Sequence, residues 1–219
     1  MNDAFTPPQT PPPALAHPHF PTTPCRPPFH PDEVLDAWFG PRDDPQRRQP
    51  RRAWFMGRAD FDAALRARFL PVWEAAVRGE LAAWNATAQG RLALVIVLDQ
   101  LSRNFFRGDA RAFASDAAAR RVAEAALAAG EDQCLAPVAR AFLYLPFEHS
   151  EDAADQARAE ALFTALAAAD PALDSYLDYA RRHRAVILRF GRFPHRNAAL
   201  GRTTTAEEAA FLADHPAGF

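Results

Sequence analysis

Asp60-Phe-Asp-Ala-Ala-Leu-Arg-Ala-Arg-Phe-Leu-Pro-Val-Trp-Glu-Ala-Ala-Val77 is the stretch that decides the fold class. Phe61, Leu65, Phe69, Trp73 and Val77 recur at four-residue intervals, the spacing of one helix face, with Asp60 placed to cap it. Because the stripe runs on beyond Pro71, it predicts a helix kinked at the proline and not ended by it. The same period extends in both directions. Upstream, Pro31 suits a first turn, Val34, Leu35, Trp38 and Phe39 form a stripe that Gly40 ends, and a charged loop runs to Arg52. Downstream, Gly79, a short segment from Leu81 to Trp84, and Gly90 precede the most apolar helix, about Arg91 to Phe106. Further helices are read over 115–129 with Gly130 as stop, 135–145, 151–169 and 171–190, and Thr205 with Glu208 makes a capping box ahead of a last short one. No alternating stretch of useful length argues for a strand. The chain reads as all-α, one helical domain over 31–219, with short connections that favour antiparallel helix hairpins. No clean internal repeat is visible.

Composition narrows the function classes. The chain has 219 residues and a formal net charge of −2, and its 25 basic residues are all arginine, balanced by 27 acidic ones. That balance gives no global nucleic-acid footprint. The longest aliphatic run, Leu92 to Leu98, is far too short to span a bilayer. Cys25 and Cys134 supply neither a disulfide framework nor a metal-finger spacing. Together these features predict a soluble, cytoplasmic protein. Residues 1–30 differ in kind, since eleven of the 20 prolines fall between Pro7 and Pro31. Proline removes backbone donors, so the stretch reads as a flexible or polyproline-II tail, either a spacer or a ligand for an aromatic groove. It lacks the charged start and apolar centre of a secretory signal.

Three polar segments resist a purely structural reading. In Leu92-Ala-Leu-Val-Ile-Val-Leu-Asp-Gln-Leu-Ser-Arg-Asn-Phe-Phe-Arg-Gly108 the first half is apolar on every side, so protein should surround the helix. Its second half sets Asp99, Arg103 and Arg107 along one face, with Gln100 and Asn104 beside them. Buried charges must be paired, so the choice lies between an Asp99–Arg103 helix pair and a polar floor for an anion. In Leu143-Tyr-Leu-Pro-Phe-Glu-His-Ser-Glu-Asp152, Pro146 should end or kink the helix and leave Glu148 and His149 in a tight turn, with Ser150 as the next N-cap. A carboxyl beside an imidazole suits acid/base chemistry, or a bond to the backbone at the bend. A metal site with Asp155 lacks the paired-histidine spacing, and none is assigned. In Phe190-Gly-Arg-Phe-Pro-His-Arg-Asn-Ala-Ala-Leu-Gly-Arg202, a loop offers Arg192, His195, Arg196 and Asn197, either as helix caps or as a binding edge for phosphate or carboxylate. Neither a dinucleotide, a P-loop nor a nucleophile-elbow motif is present, and no cofactor is implied.

Ala37-Trp-Phe-Gly40, Arg91-Leu-Ala-Leu94 with Leu98-Asp-Gln100 and Arg103-Asn104, Leu145-Pro-Phe-Glu-His-Ser-Glu-Asp152 and Gly191-Arg-Phe-Pro-His-Arg-Asn197 together resemble a bacterial family of unknown function, domain-of-unknown-function family 924. The resemblance runs from about Pro31 to about Leu212. It implies an all-helical fold similar to tetratricopeptide-repeat superhelices, and no reaction. Leu101-Ser102 departs from the aromatic-proline pair expected in such a motif, a swap that relaxes the helix locally.

The economical expectation is that the three segments converge on one cleft between hairpins. Arg103, Arg192 and Arg196 then hold a small anion that Asn104 and Asn197 orient, and Asp99 fixes an arginine. Where chemistry occurs, Glu148 with His149 or His195 moves a proton, and activated water attacks, since no nucleophile stands out. The competing reading is a tetratricopeptide-like module clamping an acidic peptide or C-terminus. A third is mutual structural pairing of all these groups.

Overall fold

The computed structural model describes residues 21–51, 54–55 and 58–215. Among them the chain is helical and without a strand. The helices are α1 (Pro31–Phe39), α2 (Ala59–Val77), α3 (Ala88–Val95), α4 (Ser102–Phe105), α5 (Asp116–Ala128), α6 (Pro137–Glu148), α7 (Ala153–Ala169), α8 (Asp174–Phe190) and α9 (Ala206–Asp214). A π-helical segment, Ile96–Leu101, joins α3 to α4, so the three form one continuous rod.

That rod is the centre of the fold. Its apolar half is surrounded, as its sequence requires: α1, α2, α5 and α6 all pack on it, and Ala93, Val95, Ile96 and Val97 are fully buried. Each large apolar side chain removed from water here contributes about 1.5–3 kcal/mol. Against α6 lies an aromatic cluster in which Trp38 stacks on Trp54 at 6.0 Å and Phe142 meets Trp54 edge-on at 4.8 Å. Trp54 Nε1 donates to the Trp38 carbonyl at 2.9 Å, which ties Trp54 to α1. α6, α7 and α8 pack in sequence order through short links.

Several boundaries differ from the sequence reading, each for a physical reason. The helix carrying Pro71 runs unbroken, as the stripe predicts, but its N-cap is Arg58 and Asp60 lies in the first turn. Its buried residues are Phe61, Leu65, Phe69, Val72 and Ala75. A four-residue step overshoots the 3.6-residue turn by about 40°. The stripe therefore drifts around the helix, and Val77 at its end is 52% exposed. Gly90 lies inside α3, which Thr87 caps by accepting the Gly90 N–H at 3.0 Å. Pro146 does not end its helix; α6 continues to Glu148, with His149 as the C-cap. Asp152, not Ser150, caps α7.

The proline-rich tail reading falls mostly on residues 1–20, outside the described residues. Its last part lies on the domain: Cys25 is buried, and its N–H donates to the Arg68 carbonyl at 2.9 Å.

Candidate functional site

A cavity of about 560 Å³ opens where the π segment, the end of α6 and the middle of α8 meet. Arg51, Trp54, Phe55, Gln100, Arg103, Asn104, Arg107, Glu148, His149, Tyr176, Tyr179 and His183 are among its lining residues. A larger hollow of about 930 Å³ beside α1 has no histidine and no buried carboxyl in its lining, so the buried titratable groups gather at the smaller one.

Asp99 sits directly behind this lining with no exposed surface. His149 Nδ1 lies 2.8 and 2.9 Å from its two carboxylate oxygens, and Gln100 Nε2 donates to Oδ2 at 2.6 Å. Arg103 Nη1 stands 3.1 Å from Oδ1. Burial would raise the Asp99 carboxyl, but Arg103 and His149 outweigh it and hold it well below the usual carboxylate range. Asp99 is therefore ionised and accepts only, so Nδ1 of His149 carries the hydrogen and Nε2 carries the lone pair. Burial, then the Arg103 charge, lowers His149 below the ordinary imidazole value and keeps the ring neutral. A carboxylate that fixes tautomer and orientation from behind is how an imidazole is made into a proton acceptor.

Glu148 has the opposite character. Burial, followed by the nearby Asp99 charge, pushes its carboxyl well above the ordinary value, which favours its protonated form. Its Oε1 is 3.2 Å from His183 Nδ1, which also lies 2.9 Å from the Tyr179 carbonyl. Burial and then His149 depress His183 to about 3. Glu148 Oε2 and the Tyr176 hydroxyl are buried without a hydrogen-bond partner among the described residues. Unsatisfied buried polar atoms of this kind cost about 1–3 kcal/mol each.

The surrounding chain holds this pair rigidly. Gln156, fully buried on α7, donates from Nε2 to the carbonyls of Glu148 at 2.5 Å and Ser150 at 2.6 Å. Arg196 Nη2 donates to the His149 carbonyl at 2.9 Å, its guanidinium lying over the rings of Phe113 and Phe193 at 4.7 and 4.4 Å. Glu151 fastens the same loop, accepting the Phe193 N–H at 2.9 Å and both Nη groups of Arg202 at 2.8 Å.

The nine site residues expected from sequence separate into layers. Arg103, Asn104, Glu148 and His149 line the cavity, with Asp99 behind them. Arg103 also holds Asp116 bidentately at 2.9 Å. Asn104 donates to Asp62 at 2.6 Å, and Arg107 reaches the same carboxylate at 2.9 Å. Arg196 lies one layer further in, 3.7 Å from Asp116. His195, which burial and then Arg196 lower to about 4, packs on Phe193 and is not among the lining residues. Arg192 and Asn197 are not brought to the cavity: both bind Glu208, Arg192 at 2.6 and 2.9 Å and Asn197 at 3.2 Å, and so secure α9. Asp155 is engaged by Arg120 at 3.2 Å, and no cluster of potential metal ligands occurs among the described residues.

The sequence profile of a family described as "Bacterial protein of unknown function (DUF924)" matches residues 34–215, which include every residue of this site. The chain belongs to that family. A solved structure, that of the protein of unknown function ATU0120 from Agrobacterium tumefaciens, is 40% identical and superposes with a TM-score of 0.74. The similarity covers 84% of this chain and 97% of that one. Comparison with curated proteins finds no match. The motifs that carried the family resemblance thus include Glu148 and His149 of the cavity.

Sequence reading missed three contributors. His183 had a usable signal, since it stands at helical spacing with Tyr176, Ala180 and Ile187, the inward stripe of α8. Asp116 had none, because an acid in a first turn is explained by the helix dipole alone. Glu151 was hidden in the same way beside Asp152.

Proposed function

We propose that the cavity binds a small anionic molecule and that His149 acts there as proton acceptor, with neutral Glu148 as proton donor. The observation that carries this is the Asp99–His149 pair at a cavity wall: a buried carboxylate fixes the ring from behind at 2.8 Å and leaves the lone-pair nitrogen for a reactant. Adjacent groups of opposite protonation state are what general acid–base catalysis requires. The lining holds Ser175, but among the described residues no hydrogen bond joins it to His149, so water activated by His149 is read as the attacking group, and hydrolysis or transfer of a small anionic substrate is the reaction class. The anion is supported by Arg51, Arg103 and Arg107, whose carboxylate partners Asp44, Asp99, Asp116 and Asp62 are not in the lining. The helices are read as a tetratricopeptide-like stack of hairpins, supported by the packing of α6 on α7 and of α7 on α8. The alternative, a module of that kind holding an acidic peptide, has less support because Arg192 and Arg196 are engaged by Glu208 and Asp116 instead of spread along a groove.

The test is proton release followed in a pH-stat with carboxylic esters, phosphate monoesters and N-acyl amino acids. Turnover should fall by about 10²–10⁴ in His149→Gln, the range of a lost general base. Wild type and variant hydrolysing a substrate at the same rate, or no turnover by the wild type, would overturn the catalytic reading.

A further inference from the structure

Phe55 is 57% exposed and Tyr179 44%, and both line the cavity. Among the described residues the other large apolar side chains so exposed are Val77 and Leu188, neither of them in that lining. Water-facing aromatic rings at the mouth of a pocket are surface that an apolar guest would cover. Phe55 is not loosely held: it meets Tyr176 edge-on at 6.0 Å and Trp54 at 6.3 Å, so its ring is presented on a buried aromatic base. The rest of the lining carries the guanidiniums of Arg51, Arg103 and Arg107.

Resting on the reading of the cavity as an anion site, we infer that its ligand is an aryl anion, a flat ring joined to a phosphate or carboxylate. The ring lies against Phe55 and Tyr179, and the charged group lies toward Arg107 and Arg103. Rings stack in offset or edge-to-face geometry at centroid separations of about 4.5–7 Å, which the cluster beneath already shows. A cavity of about 560 Å³ accommodates a single ring with its anionic group. Arg107 holds Asp62 through Nε and Nη2 and is 56% exposed, so part of its fork faces outward. A planar fork of this kind matches either anion bidentately.

Calorimetric titration of the full chain tests this with phenyl phosphate, benzoate, inorganic phosphate, acetate and phenol. Phenyl phosphate should bind at least tenfold tighter than inorganic phosphate or phenol, or benzoate at least tenfold tighter than acetate or phenol. Which of the two aryl anions wins tells the phosphate source from the carboxylate source. Phe55→Ala and Tyr179→Ala, both at exposed positions, should erase the advantage over the ring-free anion. Arg107→Gln should erase the advantage over phenol. Aryl and ring-free anions binding equally would overturn the aryl inference and leave the anion site standing. Phenol binding as tightly as the aryl anions would overturn both, as would no binding of any probe at millimolar concentration.

Discussion

Asp99 and Arg103 begin a chain of charges that decides how the site is held. Arg103 lies between Asp99 at 3.1 Å and Asp116 at 2.9 Å, and Arg196 adds a second cation 3.7 Å from Asp116. The four charges alternate and cancel. Arg103→Ala would leave two carboxylates with one distant cation, and it should lower unfolding stability in urea by about 3–5 kcal/mol. A loss under about 1 kcal/mol would mean that the guanidinium is not a structural link. Glu148 calls for a pH measurement. A carboxyl raised by folding contributes stability that is fully present below its unfolded value near 4.5 and is lost as pH climbs through the folded value. Glu148→Gln lacks that loss. It should therefore gain on the wild type from about pH 4.5 upward, with a slope of at most about 1.4 kcal/mol per pH unit. His183 works in the opposite sense: lowered to about 3 by burial, with His149, Arg196 and His195 adding to it, its stability is present above 6.5 and lost as pH falls toward 3. His183→Gln should flatten that acid limb. Parallel curves for wild type and Glu148→Gln between pH 4.5 and 8 would show that the carboxyl is not held neutral.

At the scale of elements, two helices owe their course to local exceptions. A Cβ at Gly90 would stand 2.0 Å from the Trp84 carbonyl oxygen, so α3 packs against the preceding turn through a missing side chain. Alanine is the better helix former by about 1 kcal/mol, yet here it must displace backbone. Gly90→Ala should destabilise by about 1–3 kcal/mol in thermal or urea unfolding, and a stabilised variant would refute that close approach. The π segment is the second exception, since a wider turn leaves carbonyls without their usual partners. The Ser102 hydroxyl lies 2.9, 3.0 and 3.1 Å from the carbonyls of Leu98, Asp99 and Ala112, and Ser115 also donates to that of Leu98. Because the rod ends at Phe105, Arg107 leaves the face shared by Asp99 and Arg103 and turns to Asp62 on α2.

Across the whole molecule the apolar interior is divided unequally. One large cluster joins α1 through α8, while Val186, Ile187 and Phe193, with Phe190 and Phe211 against them, form a small second one under the C-terminal segment. That segment is held mainly by ion pairs, Arg192 with Glu208 and Arg202 with Glu151. Little buried apolar area per residue means low local stability. Hydrogen exchange should therefore show α9 and residues 191–205 opening well before α3 and α6, and equal protection would contradict the division. Because Arg196 in that segment donates to the His149 carbonyl, such opening would also loosen the site.

Residue order was enough for the helical class, for the surrounded rod and for the capping box at Thr205, because helix periodicity and caps are short-range effects written into neighbouring residues. It was also enough to single out Asp99, Glu148 and His149, since polar groups inside strongly apolar runs are costly without a partner. It did not show that Arg192 and Asn197 turn to Glu208 while His183 and Asp116 join the site. Those outcomes depend on which side chains distant in sequence meet once the helices pack, as His183 meets Glu148 at 3.2 Å. A pairing across packed helices leaves no spacing in the sequence. The direction in which each shared charge settles, ionised at Asp99 and neutral at Glu148, follows from burial and neighbours that exist only in the folded chain.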